Sequence, residues 1–405
     1  MRQLAITLAV AAAVLGCQPK RQPETESVGT EGAGAPRQFT LVEDVRIGSQ
    51  SDPDIGFTSV GGVVVGPDRR MYVSERQDLQ MRIYDAAGNL ERVVGRRGQG
   101  PGEFQSMGHL GLLGDTVWIT DAGNRRITLF NLDGDLIESV RAPRILLSPA
   151  PDLVALRPTY LRPDRNWVSG AAMEVGIEGV SYTVPELLFD PSGALADTLR
   201  NVEIVIRLRV TIDSISFLPE DLLLDDPIIS HDPGVRTVIV RRAGATSDVP
   251  STFSVTSISV SGDTVFDTSF EYRPMPVSDT YIDRVVESLA AGRQARMGAG
   301  RIERALRSAL PPFHPPVTQV RFGEDGAIWL RRESEDGAIW PIWLRRERSE
   351  GETEAQYWIL EPDGVVRGTV NIPSTVRIMW SGTDEFVGME LDDLDVPWLI
   401  RYRLQ

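Results

Sequence analysis

The 405-residue chain holds one cysteine, three histidines and one lysine, and each shortage removes a class of explanation. A lone cysteine, Cys17, leaves no partner for a disulfide within the chain and no thiol nucleophile in its body. Lys20 is the single lysine, so nearly every cation is an arginine. With 42 basic against 57 acidic residues the net charge is −15. That balance argues against a nucleic-acid backbone as partner, because such binding needs a clustered basic face. Beyond the first fifteen residues no apolar run is long enough to cross a bilayer. No Gly-x-Ser-x-Gly elbow occurs. What the chain has instead is turn chemistry: 37 Gly and 27 Pro point to many turns rather than many helices.

The N-terminus reads as an address. Arg2 precedes an apolar run from Leu4 to Leu15, too short to span a membrane but suited to the core of a secretory signal. Val14-Leu15-Gly16-Cys17 then resembles the lipobox of bacterial lipoprotein signals, in which cleavage before the cysteine leaves a thiol that carries lipid. The resemblance implies a protein held in the cell envelope through Cys17. Gln18 follows where an Asp would suggest inner-membrane retention, so the outer membrane is the expected location. The divisions expected are residues 1–16 as lipoprotein signal, 17–38 as a disordered tether, and 39–405 as the folded domain. The tether is nearly devoid of large apolar residues, and a flexible chain of that length reaches about 25 Å.

From Phe39 onward short apolar runs alternate with turns. Met71-Tyr-Val-Ser74, Met81-Arg-Ile-Tyr84, an Asp-Ala-Ala-Gly-Asn turn and Leu90–Val94 form one unit. Val117-Trp-Ile-Thr120, Ile127-Thr-Leu-Phe130, an Asn-Leu-Asp-Gly-Asp turn and Leu136–Val140 repeat the order. Met71 aligns with Val117 and Tyr84 with Phe130 at one offset of 46 residues. A period near 45 with four strands per unit predicts an all-β fold, a β-propeller. The second unit, VWITDAGNRRITLFNLDGDL, resembles an NHL repeat through Asp121, Gly123-Asn124, Arg126-Ile127 and Asp133-Gly134. It implies a six-bladed propeller of the TolB-like superfamily. The first unit departs from that pattern, with Ser74-Glu75-Arg76 in place of the Asp and no Gly-Asn after it.

GRRGQGPGEF, from Gly95 to Phe104, could be a phosphate cradle or a bent connection. A phosphate loop should open onto a helix. Here the next apolar run is the next unit's first strand, so the expected role is a crossing from the outer strand of one blade to the inner strand of the next. Further blades are expected around 165–193, 235–266 and 316–364. A sixth is expected around 377–403, with Phe39 to Ile47 adding its missing strand and so closing the ring. Helical spacing of Tyr281, Ile282, Val285, Val286 and Leu289, and again of Ile302, Leu306 and Leu310, predicts a helical hairpin at about 278–312, capped by Ser278 and broken at Gly298 to Gly300. EDGAIW occurs at 324–329 and 335–340, and IWLRRE at 328–333 and 342–347. One copy is expected within the blade and the other bulging outward.

The residues for chemistry are few. His109, His231 and His314 belong to different units and are the candidates for a divalent metal in a central channel, where imidazoles could leave one position open for water. Arg96, Arg97, Glu103, Asp121, Asn124 and Arg126 are the candidates for binding at the channel or its loops. The acidic run at 390–395 reads as a solvated loop. No catalytic residue is identified. The expected function is a lipid-anchored extracytoplasmic binding or scaffold protein for an envelope protein, glycan or small ligand, with a metal-dependent channel hydrolase or lyase as the alternative.

Overall fold

The computed structural model describes residues 36–52, 55–141, 155–172, 181–205, 210–212, 215–217, 228–232, 235–242, 249–291, 298–310, 312–332 and 354–405. Two strands come first, β1 (Gln38–Phe39) and β2 (Leu41–Ile47). Blade one is β3 (Val60–Val65), β4 (Met71–Glu75), β5 (Gln80–Tyr84) and β6 (Leu90–Val94). Blade two is β7 (Met107–Leu113), β8 (Thr116–Asp121), β9 (Arg126–Asn131) and β10 (Leu136–Arg141). Blade three is β11 (Ala155–Leu161), β12 (Trp167–Ala172), β13 (Ser181–Phe189) and β14 (Leu195–Val205), followed by a ribbon of β15 (Val210–Ile212) and β16 (Ile215–Phe217). Blade four is β17 (Ile228–Asp232), β18 (Arg236–Arg242), β19 (Ser251–Ser259) and β20 (Thr264–Tyr272). Helices α1 (Asp279–Ala291) and α2 (Ala299–Ala309) lead to blade five: β21 (Gln319–Phe322), β22 (Ile328–Arg332), β23 (Glu354–Leu360) and β24 (Val366–Pro373). Blade six is β25 (Arg377–Ser381), β26 (Glu385–Leu391) and β27 (Pro397–Leu404), with β2 as its outermost strand.

Each blade is an antiparallel meander, and the first strands line the axis, with β25 beside β3, β3 beside β7, β7 beside β11, and β17 beside β21. The fold is a six-bladed β-propeller closed by strands from both ends of the chain. Closure follows the sequence expectation with one change. Leu41–Ile47 pairs with β27, whereas Gln38 and Phe39 run parallel to β24 on the outer edge of blade five, at Thr369 and Val370.

The apolar runs fall where neighbouring blades cover both faces of a sheet. All five residues of β4 and the last five of β8 are buried, because these second strands lie between two blades, and a strand covered on both faces needs no alternation. The outermost β10 is mostly exposed, with Leu136 and Ile137 open to solvent. Between blades five and six, Trp329, Tyr357, Ile359, Phe386 and Ile400 form one core, and Trp329 meets Phe386 edge-on at 5.9 Å. Equivalent clusters join blades four to five, six to one, one to two, and two to three.

Arginines staple neighbouring blades together, chiefly through their short turns. Arg401, 1% exposed, donates to the carbonyls of Arg69 (2.9 Å) and Ala86 (2.6 Å) in the turns of blade one. Arg236 of blade four donates to Gly326 and Pro362 in the turns of blade five. Arg200 of blade three reaches Thr237 of blade four at 2.6 Å while pairing with Glu186 at 2.7 Å. A guanidinium has enough donors to serve two turns and a carboxylate together, which an ammonium does less well.

The helical pair sits where its periodicity placed it. The Ser278 hydroxyl caps α1 by accepting from the Tyr281 N–H at 3.1 Å. Gly298, at φ 76°, precedes α2, so the break lies there and Gly300 is inside the first turn. Tyr281, Ile282, Val285, Val286, Ile302 and Leu306 are buried, and α2 packs beside β15. The first copy of IWLRRE supplies β22, in the blade; the second lies outside the described residues, as do the signal and the tether up to residue 35.

Candidate functional site

Antiparallel order divides the connections between two faces. On one face lie the turns from first to second and from third to fourth strands, all short: 66–70, 85–89, 114–115, 132–135, 162–166, 190–194, 260–263, 323–327, 361–365 and 382–384. The other face carries the crossings between blades and the turns from second to third strands. Among the described residues these include 95–106, the ribbon of β15 and β16, and the crossing that carries α1 and α2. The molecule is plain on one side and elaborated on the other.

Five of the six candidate binding residues meet in the crossing into blade two. Phe104 is fully buried, and Gly95 makes room for its ring: Gly95 has φ +94°, and a β-carbon there would lie 2.8 Å from the Phe104 ring. The Asp121 carboxylate accepts the N–H groups of Gln105 (3.1 Å) and Ser106 (2.9 Å), the two residues after Phe104. Asn124 donates to Asp121 at 2.7 Å and to the Gly98 carbonyl at 3.0 Å. Arg126 donates to the carbonyls of Gly100 (2.7 Å) and Glu103. Glu103 holds the Gly100 N–H at 2.8 Å and pairs with Arg96 at 2.7 Å. Arg97 is exposed beside Phe104, its backbone forming a bridge to it. The polar groups of Asp121, Asn124 and Arg126 are thus spent on the chain's own backbone.

Blade one repeats the device with different letters. Phe57 is buried in the preceding crossing, and Glu75 accepts the N–H groups of Thr58 (3.1 Å) and Ser59, the two residues after it. Arg82 donates to the Gly56 carbonyl at 2.8 Å. Glu75 precedes Asp121 by the repeat offset of 46 residues, so the apparent departure of unit one from the pattern is a longer carboxylate in the same post. Burial raises the pKa of Glu75 against the lowering effect of those two N–H groups.

The three histidines do not form a metal centre. His109 lies on β7 and His231 on β17, both inner strands, but His314 packs edge-on against Tyr281 of α1 at 5.1 Å. Among the described residues no group of three His, Cys, Asp or Glu side chains could hold a metal ion. The expected shared site is therefore corrected: the helical insertion draws His314 under itself, an outcome that spacing does not disclose. Burial and the charge of Arg200 lower the pKa of His231 to about 4, and its Nδ1 lies 2.9 Å from the Thr237 hydroxyl.

The channel is polar in a directed way. Inner strands run from the elaborated face to the plain one, so Tyr160, Asp232 and Glu324, at the ends of β11, β17 and β21, ring the plain mouth. Burial pushes Asp232 up to about 6 despite Arg236 and Arg200. Burial, then the charges of Glu324 and Asp232, raise Tyr160. At the elaborated mouth stand His109, whose pKa is lowered by burial and by Arg76, and Arg377 at the start of β25. Trp380 of β25 packs against the cores of blades six–one and one–two. A separate cavity of about 260 Å³ lies on blade six between Arg46, Gln50, Glu390, Asp392 and Trp398; there Asp392 already accepts from Gln50 (2.6 Å) and Trp398 (3.0 Å).

The family profile described as 6-bladed beta-propeller matches residues 58–150, which span blades one and two. No curated protein matches the chain. Among solved structures, a candidate exported protein of Bacteroides fragilis aligns at 10% identity and a TM-score of 0.46, covering 91% of this chain and 95% of that one. Virginiamycin B lyase of Staphylococcus aureus aligns at 12% identity and 0.38, covering 91% and 100%. BamB of Moraxella catarrhalis aligns at 10% identity and 0.31, covering 91% and 100%.

Proposed function

We propose that this six-bladed propeller is a binding protein of the cell envelope, anchored by lipid on Cys17, that receives its ligand or partner on the elaborated face. The asymmetry of the two faces carries the reading, since binding residues concentrate on loops held by a rigid scaffold. The route of the N-terminus supports it. Gln38 and Phe39 run parallel to β24, and the Thr369 N–H donates to the Arg37 carbonyl at 2.8 Å, so the chain enters from the plain side. A tether attached there keeps the plain face toward the lipid and turns the loops outward.

Two experiments test this. Metabolic labelling with a radioactive fatty acid should mark the wild-type chain and not Cys17→Ala; equal labelling of both would remove the anchor. Reversing two exposed charges of α1, with Asp283→Arg and Glu287→Arg, should abolish capture of the envelope partner recovered with the wild-type protein, while the melting temperature stays within about 3 °C. Undiminished capture by the charge-reversed variant would refute the assignment of the face.

A further inference from the structure

The tryptophans of this fold are core residues with one exception. Of the six among the described residues, Trp118 and Trp167 belong to the core between blades two and three, Trp329 to that between five and six, and Trp358 and Trp380 pack against others. Trp398 belongs to none of these cores. Half-buried near the start of β27, it lines the cavity of about 260 Å³ on blade six. Its neighbours in the sheet make the place for it. Glu390 of β26 lies directly opposite. On the other side Gly48, just past β2, leaves room for the indole: a β-carbon there would lie 2.9 Å from two of the ring carbons. The turn at 392–396 joins second to third strands and Gln50 opens the crossing into blade one, so the cavity is on the elaborated face.

The indole is fixed in position. Its Nε1 donates to Asp392 at 3.0 Å, and the same carboxylate oxygen accepts from Gln50 at 2.6 Å. The other oxygen of Asp392 accepts the N–H groups of Leu394 (2.8 Å) and Val396 (3.0 Å). Four donors fill the carboxylate, so it positions Trp398 and Gln50 and has no lone pair left for a cation. Glu390 is answered by the Thr375 hydroxyl at 3.1 Å and by Arg46 at 3.5 Å, and Arg46 forks onto Glu43 at 2.9 Å. With these charges met inside the protein, neither a cation nor an anion finds an opposite charge unspent. What the lining still offers is the π-surface of Trp398, the amide oxygen and second N–H of Gln50, and the remaining acceptor positions of Glu390.

We infer that this cavity binds one neutral pyranose ring, free or at the end of a glycan. A pyranose has an apolar face of C–H groups whose partial positive charge suits the negative face of an indole, and a rim of hydroxyls that both donate and accept. The volume lies just below the roughly 300–1,000 Å³ of pockets for drug-sized ligands, which suits a single ring. Asp392 holds the indole and the Gln50 amide in place before the sugar arrives, so little ordering is left to oppose binding. This rests on the reading of the elaborated face as the binding face, and gives it a ligand class.

The test is saturation-transfer NMR on the full chain in a detergent without a sugar head group. The probes are the methyl glycosides of glucose, galactose, mannose and N-acetylglucosamine, with tetramethylammonium as comparison. Saturable binding of at least one glycoside, weakened about tenfold or more in both Trp398→Ala and Gln50→Ala and unchanged in Arg96→Gln, is the expected result. Gln50 is exposed, so its variant reports on binding with the fold intact. The matching trisaccharide separates the two sources: equal affinity assigns the free sugar, and tighter binding the glycan end. No saturable binding of any glycoside, binding of tetramethylammonium in their place, or a glycoside affinity that neither variant changes overturns the site. Silent glycosides alongside capture that the charge reversal on α1 abolishes would discard the sugar and leave the binding face standing.

Discussion

Asp44→Ala lowers the unfolding free energy by about 3–5 kcal/mol. Asp44 of β2 accepts from Arg401 at 2.9 and 3.0 Å, from Arg403 at 3.0 Å, and from Arg69 at 2.7 Å. Three cations converge on one carboxylate at the junction of the chain's two ends, and Glu385 takes up part of Arg69 at 2.9 Å. Removing the carboxylate leaves Arg401 buried with its principal counter-charge gone, which is costlier than never having formed the pair. Burial alone would raise the pKa of Asp44, but hydrogen bonds from Arg403 and Arg401, with the charges of Arg401 and Arg69, hold it at about 2. A folded value below the unfolded one means stability present above pH of about 4 and lost as pH falls toward 2, a contribution of about 2 kcal/mol. Urea melts of wild type and Asp44→Ala at pH 7, 4 and 3 check both parts. The gap between the two proteins should narrow with acid, and a gap independent of pH would show that Asp44 acts by packing alone.

Phe104→Ala should cost about 3–5 kcal/mol, while Arg96→Ala, eight residues earlier in the same crossing, should change stability by under about 0.5 kcal/mol. The ring of Phe104 is fully buried in the core between blades one and two, 6.2 Å from that of Phe130. Arg96 is 78% exposed, and its pair with Glu103 is a surface one. Chemical denaturation of the two variants separates the readings of GRRGQGPGEF. A large loss from Phe104 with little from Arg96 marks a structural crossing. A comparable loss from both would mean that the exposed arginine is tied into the fold by contacts beyond its ion pair.

The parts of this fold that were legible in the sequence are those whose burial is two-sided or whose turns are strict. Blades one and two announced themselves through a constant offset, and blade five was expected around 316–364, where β21 to β24 lie. The inner strands β11 and β17 gave no such signal. Each residue of β17, Ile-Ile-Ser-His-Asp, is half-buried, because a strand beside the channel meets water and protein together and shows no alternation. Glu75 reads in the sequence as a departure from the pattern because its role in the blade depends on reach, not on identity with Asp121. The histidines misled because a shared channel was inferred from separate blades, and His314 left it with the helices.

Joining β2 to β27 has a consequence for how the chain acquires its shape. The residues of that clasp, Asp44 and Arg401, are 357 positions apart, and the strand needed to complete blade six is among the first made while its partners are the last. Blades one to five can form locally, each from contacts close in sequence, but blade six cannot exist on a nascent chain. Until the final strand arrives the protein is an open arc with two unsatisfied sheet edges, and closure must overcome the entropy of joining distant ends. The completed ring is then the slow, all-or-none step, and deleting β2 or β27 should undo the whole of blade six.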